Sequence, residues 1–398
     1  MKKIILAAVS ILVFCCFTGC SKDNGGDPDD NFEVPELTAD NTIRFTVNAG
    51  KSRSLEFIME GLRLAVDWGD GTMTKRYNPN LPGFAHTYKR PGEYTVRVWT
   101  GDLTFIRVSG LLKDFRDVQL GDCPALKDAV FNTISAGGTI DVNRCPALEK
   151  LEVSNCETVE SVLFDECLKL EQLSLYTMPR LTKINALGNT ALRELFCGWS
   201  PLEELLLPHD MEKIELGDIG MASLDFTGFA KLTSLDCSGN QSLTTLNLTG
   251  CDNLVSIDIS NTGLSAFDFA TIPSLRSIKC GHTTMATLDV SGNPNLNQLS
   301  CTHLGLTSLD ISTASGLTDI DCSHNNLTTL DVSNNSFLRK VAINDNQFDK
   351  TALDAIFTAL PAALPAQNPP AIKITDNPGT ATCDKQIATN KYWFVGIN

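Results

Sequence analysis

Two consecutive segments share one apolar spacing: LTDIDCSHNN at residues 317–326 and LTTLDVSNNSF at residues 327–337. Each has an apolar residue at its first, fourth and sixth positions, and together they form a unit of about 21 residues. A cysteine and a histidine recur at this interval three times, as Cys280 and His282, Cys301 and His303, and Cys322 and His324. The interval therefore indicates an internal repeat before it indicates a metal site.

The same spacing extends through most of the chain. Its middle apolar position recurs about every ten or eleven residues from Ile106 to Val341. The unit matches the pattern L-x-x-L-x-L-x-x-N/C-x-L, and the chain resembles the short-repeat leucine-rich proteins of bacterial surfaces. Half a unit is too short for a helix and its turns, so we expect a mainly β, right-handed solenoid over residues 103–348. Each coil should bury Leu, Ile, Val and Cys against its neighbours.

The cysteines and histidines of the repeat have a structural interpretation. Cys322 fills an apolar strand position and should point inward, whereas His324 lies where the strand turns and should face solvent. We therefore expect packed, reduced thiols, no metal and no cofactor. A second set of cysteines takes the turn position of Asn293 and Asn325, which satisfies buried backbone groups: Cys123, Cys145, Cys156, Cys167 and Cys251. One alternative stays open, in which His282, His303 and His324 form a column that binds a soft divalent metal.

The N-terminus carries an export signal. Residues 1–20 begin with two lysines, continue with an apolar run too short to span a bilayer comfortably, and end in Gly19 and Cys20. This ending resembles the lipobox of bacterial lipoproteins, which implies that Cys20 is acylated and anchors the chain in a membrane. The segment 21–40 is rich in Gly, Asp and Pro and should be a flexible acidic tether. The resemblance implies an outer-membrane, lipid-anchored and surface-exposed protein.

Residues 41–102 alternate apolar and polar side chains in short runs, which predicts a small β-sandwich. The run VDWGDGT at residues 66–72 and the later HTY at residues 86–88 resemble the signature of polycystic-kidney-disease (PKD) immunoglobulin-like modules. Such modules are mostly spacers in that family. Asp67 and Asp70 could instead hold calcium, although two carboxylates are few for such a site.

Residues 349–398 should form a C-terminal cap. The segment DKTALDAIFTAL at residues 349–360 has helical apolar spacing, and a strand is expected around Ile372 and Ile374. A solenoid must cover its last apolar face, so we expect this short helix, the strand and Trp393 to form the cap.

The two halves of the repeat differ in their outward residues. One half is uniform, with Asp225, Asp289, Asp310 and Asp331 between similar neighbours, and these aspartates should bind turn amides or, alternatively, calcium. The other half varies from copy to copy, which favours recognition. We expect the ligand contacts there, at Tyr176, Phe196, Trp199, Lys279 and Gln298. The alternative is that these early repeats are degenerate and that their aromatic residues pack against a flank.

The composition favours a binding protein over an enzyme. The chain has 398 residues and a net charge of −15, and this acidity argues against a nucleic-acid partner. Motifs typical of phosphate loops, zinc proteases and serine hydrolases do not occur in it. We expect a monomeric surface protein that binds a protein ligand and acts in adhesion. Two alternatives are a glycan-binding accessory lipoprotein of a nutrient-uptake system and a purely structural envelope protein.

Overall fold

Short strands connected by turns make up most of the protein. The computed structural model describes residues 32–49, 54–77, 83–109, 115–134, 138–364 and 368–396. Cys20, the signal segment and most of the tether lie outside these ranges. Within them, no helix combines the length and apolar composition needed to cross a bilayer.

The strands and helices, in chain order, are β1 Thr42–Ala49, β2 Ser54–Gly61, β3 Arg63–Asp67, β4 Met73–Tyr77, β5 Gly83–Thr87, β6 Gly92–Trp99, β7 Leu103–Ser109, β8 Phe115–Leu120, β9 Asp128–Asn132, β10 Thr139–Asp141, β11 Lys150–Ser154, β12 Ser161–Leu163, β13 Gln172–Tyr176, β14 Lys183–Asn185, β15 Glu194–Gly198, β16 Glu204–Leu206, β17 Lys213–Gly217, β18 Ser223–Asp225, β19 Ser234–Asp236, β20 Thr245–Asn247, β21 Ser256–Asp258, β22 Ser277–Lys279, β23 Gln298–Ser300, β24 Asp319–Asp321, β25 Lys340–Ala342, α1 Lys350–Ala359, β26 Ala371–Lys373, α2 Gln386–Thr389 and β27 Phe394–Gly396.

One sheet of 16 strands runs through the whole solenoid. From β7 onward its strands are parallel, and the predicted middle positions are register partners from coil to coil, for example Leu173 with Leu195 and Ile257 with Ile278. Successive side chains of a strand point to opposite faces, so these residues enter the core while their neighbours face outward. The leucine-rich-repeat solenoid predicted from the spacing is confirmed.

The return side of each coil has far fewer backbone hydrogen bonds. Among the described residues its strands pair only locally, as β10 with β12, β14 with β16, and β18 with β20. The remaining return segments are turns, with one short 3₁₀ helix at Phe269–Thr271. The predicted extended or turn-like return side is therefore present.

Buried asparagines bind the backbone of neighbouring coils. The Nδ2 of Asn325 donates to the carbonyls of Cys301 and Cys322, and its Oδ1 accepts from the N–H groups of Leu304 and Leu306. Cysteines at equivalent turns also donate to a backbone carbonyl one coil away, as Cys167 Sγ does to Val142 O at 3.1 Å. The predicted role of this turn position is confirmed for the asparagines and for Cys156, Cys167 and Cys251, whereas Cys123 donates to the Gly121 carbonyl of its own turn.

All eleven cysteines of the described part are unpaired, and all but Cys383 are buried. Burial raises the pKa of Cys322 to about 12 and that of Cys156 to about 11, because a thiolate is poorly solvated in an apolar core. These thiols pack as small hydrophobic groups, as predicted.

The N-terminal strands form two antiparallel groups. One is a five-stranded sheet in the order β4-β3-β6-β1-β8, while β5 and β2 extend the long sheet beyond β7. The β8 strand was predicted as part of the solenoid through Val118, but it pairs with β1. The strands β7 and β8, which follow residue 102, thus pair with the N-terminal strands β2 and β1.

The two halves of the PKD-like signature meet in this region. Nε2 of His86 lies 2.8 Å from Oδ2 of Asp70, and the His86 ring stacks on Trp68. The carboxylate of Asp67 is bound by Arg97, so both candidate calcium ligands already have partners. Gly69 and Gly71 have φ of 79° and 88°, as their turn requires.

The C-terminal cap contains the predicted helix. Asp349 caps α1 by accepting from the Ala352 N–H, and the helix buries Leu353, Ile356 and Phe357. The chain then adds β26, α2 and β27 to the end of the coil stack. Trp393 is buried and donates from Nε1 to the Pro361 carbonyl. The second, four-residue helix α2 was not predicted.

Candidate functional site

The outward side of the return strands, called the return wall here, carries a row of aspartates whose carboxylates accept hydrogen bonds within their own turns. Asp225, Asp289, Asp310 and Asp331 each accept the N–H of the residue two positions later. The hydrogen bond from Ser291 lowers the pKa of Asp289, as expected for a carboxylate that accepts an amide. This return wall has the predicted structural turns.

The outward side of the long sheet, from β7 to β27, is called the open face here. The same aspartate turn also occurs on it: Asp236, Asp258 and Asp321 bind the amides of Ser238, Ser260 and Ser323. The prediction that one half alone is uniform was therefore too simple. The remaining outward positions of the open face do change from coil to coil.

A column of left-handed non-glycine residues borders the open face at the strand ends, and Gly239, with a φ of 80°, takes the same place after β19. The φ angles of the non-glycine residues lie between 51° and 59°, and they are Thr133, Asn155, Thr177, Trp199, Asp218, Asn261, His282, His303, His324, Asp345 and Asp376. Their N–H groups continue the ladder to the next coil, as Trp199 N does to Gly217 O at 2.9 Å. This conformation turns the chain out of the sheet and favours Asn, Asp and His. We call this column of residues the turn column.

Three predicted ligand contacts form an aromatic platform: Tyr176, Phe196 and Trp199. The Tyr176 ring lies over Gly198 of the next strand, with its centroid 6.2 Å from that of Trp199. Phe196 and Tyr176 are half-buried, whereas Trp199 is 54% exposed. The platform is thus partly packed against its own sheet, and Trp199 is its most exposed member.

Charged groups surround the platform. The Nζ of Lys213 lies 4.7 Å from the centroid of the Phe196 ring and 2.8 Å from the Glu215 carboxylate. Glu215, Asp236 and Asp258 are register partners on β17, β19 and β21, so three carboxylates follow one another across the sheet. Burial, opposed by the bond from Ser238 and reinforced by Asp258 and Glu215, raises the pKa of Asp236.

The other two predicted contacts lie in a separate groove. Lys279 and Gln298 line a cavity of about 560 Å³ on the C-terminal part of the open face, together with Lys340, Lys373 and Phe394. Its floor includes the small residues Ser300, Ala342, Ala371 and Gly396. Six strand spacings, roughly 29 Å, separate β13 of the platform from β23 of this groove. The structure therefore divides the five predicted residues between two places.

The three histidines of the turn column stack on one another. The ring centroids of His282 and His303 are 3.9 Å apart, and those of His303 and His324 are 4.1 Å apart. Stacked rings present their faces to each other, whereas a shared metal needs convergent nitrogen lone pairs. Within the described ranges, no group of three His, Cys, Asp or Glu side chains could hold a metal ion.

Sequence reasoning missed the carboxylate row and the turn column. The segments SLDCS at residues 234–238 and SIDIS at residues 256–260 closely resemble SLDIS at residues 308–312 of the return wall. The segments at residues 234–238 and 256–260 can be assigned to the open face only by following the strand register through every coil. The turn column had one visible signal, the recurrence of Asn, Asp and His just after the strands.

Comparison with known proteins supports the fold. The functional domain of InlJ from Listeria monocytogenes, which includes a cysteine ladder, is similar over 76% of this chain and 61% of its own length, with 21% identity and a TM-score of 0.52. This chain thus spans less than two thirds of that relative. An internalin, InlF, from the same organism has 16% identity over 74% of this chain and 87% of its own, with a TM-score of 0.47.

Neither a scan against protein-family models nor a sequence search of curated proteins finds a match. The similarity to the InlJ domain agrees with the leucine-rich-repeat solenoid seen in the register of the long sheet.

Proposed function

We propose that this chain is a non-catalytic recognition protein that binds a protein ligand on its open face. One observation carries the proposal: the open face presents outward side chains that differ from coil to coil, including the exposed Trp199, whereas the return wall repeats one turn that satisfies itself. Interfaces require such local differences, and exposed aromatic residues often dominate their binding energy. The leucine-rich-repeat solenoid, which this chain shares with the InlJ domain, offers the extended surface that such repeat proteins use for binding.

The proposal includes a lipid anchor at Cys20 and a position on the outside of the outer membrane, with the N-terminal strands as a spacer. The anchor and the location rest on the sequence of residues 1–40, and the spacer role rests on the PKD-like signature of residues 41–102. Cys20→Ser should release the protein from the membrane fraction and abolish its protease accessibility on whole cells. A variant that stays in the outer-membrane fraction would contradict the anchor.

The binding proposal is tested with a panel of immobilised extracellular proteins and a glycan array, both probed with the full chain. Trp199→Ala should weaken binding to a protein ligand by about thirtyfold, because anchor residues at interfaces contribute roughly 2 kcal/mol or more. Phe337→Ala removes an aromatic residue that is 64% exposed and lies beyond the open face, so it serves as the matched control. Equal losses for both variants would show that the open face is not the site.

The second candidate function is glycan binding in nutrient uptake. It is favoured by Trp199 alone, since an exposed indole can stack on a sugar ring. Trp199-dependent binding on the glycan array, without a protein ligand, would select this alternative.

A further inference from the structure

The open face around the aromatic platform has an excess of carboxylates. Glu215, Asp236 and Asp258 occupy aligned outward positions on three neighbouring strands, at intervals of about 4.8 Å. Glu152 lies on the other side of the platform, on β11, and Asp218 follows β17 in the turn column. The platform therefore lies within a negatively charged part of the sheet.

The neighbouring lysines neutralise only part of this charge. Lys213 pairs with Glu215 at 2.8 Å, and Lys279 pairs with Asp258 at 3.2 Å. In the part of the chain that the structure describes, no ion pair involves Asp236 or Asp218. Asp236 accepts from the backbone amide and the side chain of Ser238, and burial together with its acidic neighbours raises its pKa against these two bonds. A partially buried carboxylate without a cation gains free energy when a cation pairs with it.

The exposed indole of Trp199 suits the same kind of partner. Tryptophan is the best aromatic side chain for cation–π contacts, and Lys213 already makes such a contact with Phe196 on this face. Trp199 is 54% exposed and borders Tyr176, so a cationic side chain can approach its ring from solvent. The aromatic and the acidic groups thus complement the same positive charge.

We infer that the open face between β11 and β21 binds an extended, arginine- or lysine-bearing segment of the partner protein. One cationic side chain lies on Trp199, and others pair with the carboxylates of Glu215, Asp218 and Asp236. Guanidinium groups fit best, because they stack on aromatic rings and bind carboxylates in bidentate geometry. A neutral sugar would leave the carboxylates of Asp218 and Asp236 without a counter-charge. The inference rests on the proposed function and specifies the chemistry of the ligand.

The test uses the full chain and two short peptides, one of alternating glycine and arginine and one of alternating glycine and citrulline, a neutral arginine isostere. The arginine peptide should bind, and the citrulline peptide should bind at least about tenfold more weakly. The triple variant Glu215→Gln, Asp218→Asn, Asp236→Asn should weaken arginine-peptide binding by about tenfold or more. The matched control is Asp165→Asn, Glu166→Gln, Asp252→Asn, which removes the same charge from exposed positions of the return side and should change the affinity less than about twofold.

Trp199→Ala should weaken arginine-peptide binding by about tenfold, and Trp199→Phe should restore part of the loss because phenylalanine keeps an aromatic face. Equal losses for the two triple variants would overturn the inference in favour of the overall net charge. Equal binding of the two peptides would overturn it as well. If a protein ligand from the panel requires Trp199 but tolerates the open-face triple variant, the inference fails while the proposed function stands. If no protein ligand requires Trp199, the proposed function itself fails.

Discussion

At the scale of single residues, every member of the turn column has a positive φ, but its side chains differ in how readily they allow this conformation. Asparagine, aspartate and histidine tolerate the left-handed conformation better than β-branched or bulky residues do. Thr177, with a φ of 54°, and Trp199, with a φ of 51°, are therefore the less suitable members near the platform. Trp199 has an exposed ring that could compensate for this cost through ligand binding.

Thr177→Asn should stabilise the protein by about 0.5–1 kcal/mol, because asparagine adopts the left-handed conformation at lower cost than a β-branched residue. Denaturant unfolding measures this change. Thr190→Asn is the control, since Thr190 is also exposed but has no positive φ, and it should alter the free energy of unfolding by less than about 0.5 kcal/mol. A comparable gain in both variants would indicate a general effect of asparagine.

The histidine stack should make stability depend on pH. Burial, followed by the neighbouring His282 and His324, lowers the pKa of His303 from 6.5, although Asp321 and Asp345 act in the opposite direction. The unfolded chain then takes up this proton more readily than the folded protein does. The free energy of unfolding should therefore decrease as the pH falls below about 6.5, and the decrease should end below the folded-state pKa.

His303→Asn keeps a residue suited to the left-handed conformation and removes this titration. Unfolding curves at about pH 7.5 and about pH 5.5 should differ less for this variant than for the unchanged chain. Thr177→Asn, which also places asparagine in the turn column and leaves the histidine stack intact, should retain the full difference. A pH response that is unchanged in His303→Asn would contradict the role of the stack.

At the scale of elements, the buried asparagines connect one coil to the next. Asn325→Ala should cost about 3 kcal/mol or more, because it leaves buried carbonyl and N–H groups of two coils without partners. Asn326→Ala, at the adjacent exposed position with one long bond to the Gly305 carbonyl, should cost less than about 1 kcal/mol. Thermal and denaturant unfolding compare the two, and equal costs would remove the special role of the buried position.

The sequence predicts well which residues of each strand point into the core. Leu173, Ile257 and Ile320 could be assigned to the core because a fixed interval leaves one apolar position per strand. The outward half was less predictable. The Asp-x-Ser turn has the same local chemistry on both sides of a coil, so Asp258 and Asp310 look alike in sequence. Likewise, the Tyr176 ring lies beside Gly198 of the neighbouring strand, a contact that depends on pairing between coils.

At the scale of the whole molecule, the N-terminal strands cover the first edge of the long sheet. The β2 strand pairs with β7, where Met59 and Ile106 are register partners and both fully buried. A truncated chain that begins at residue 103 would expose this apolar edge and leave β8 without β1.

We expect the truncated chain to aggregate or to melt at a lower temperature than a chain that begins at residue 32. Size-exclusion chromatography and thermal unfolding measure the two outcomes. A soluble monomer with an unchanged melting temperature would show that residues 41–102 form an independent spacer, as the predicted domain boundaries propose.

The unequal hydrogen bonding of the two sides of the solenoid has a mechanical consequence. The long sheet resists stretching, because its strands pair from every coil to the next, whereas the strands of the return side form only three local pairs among the described residues. Bending should therefore open or close the return side and leave the strand spacing of the open face near 4.8 Å. A ligand that pulls on the open face would therefore act on a surface of constant strand spacing, while the return side of the molecule deforms.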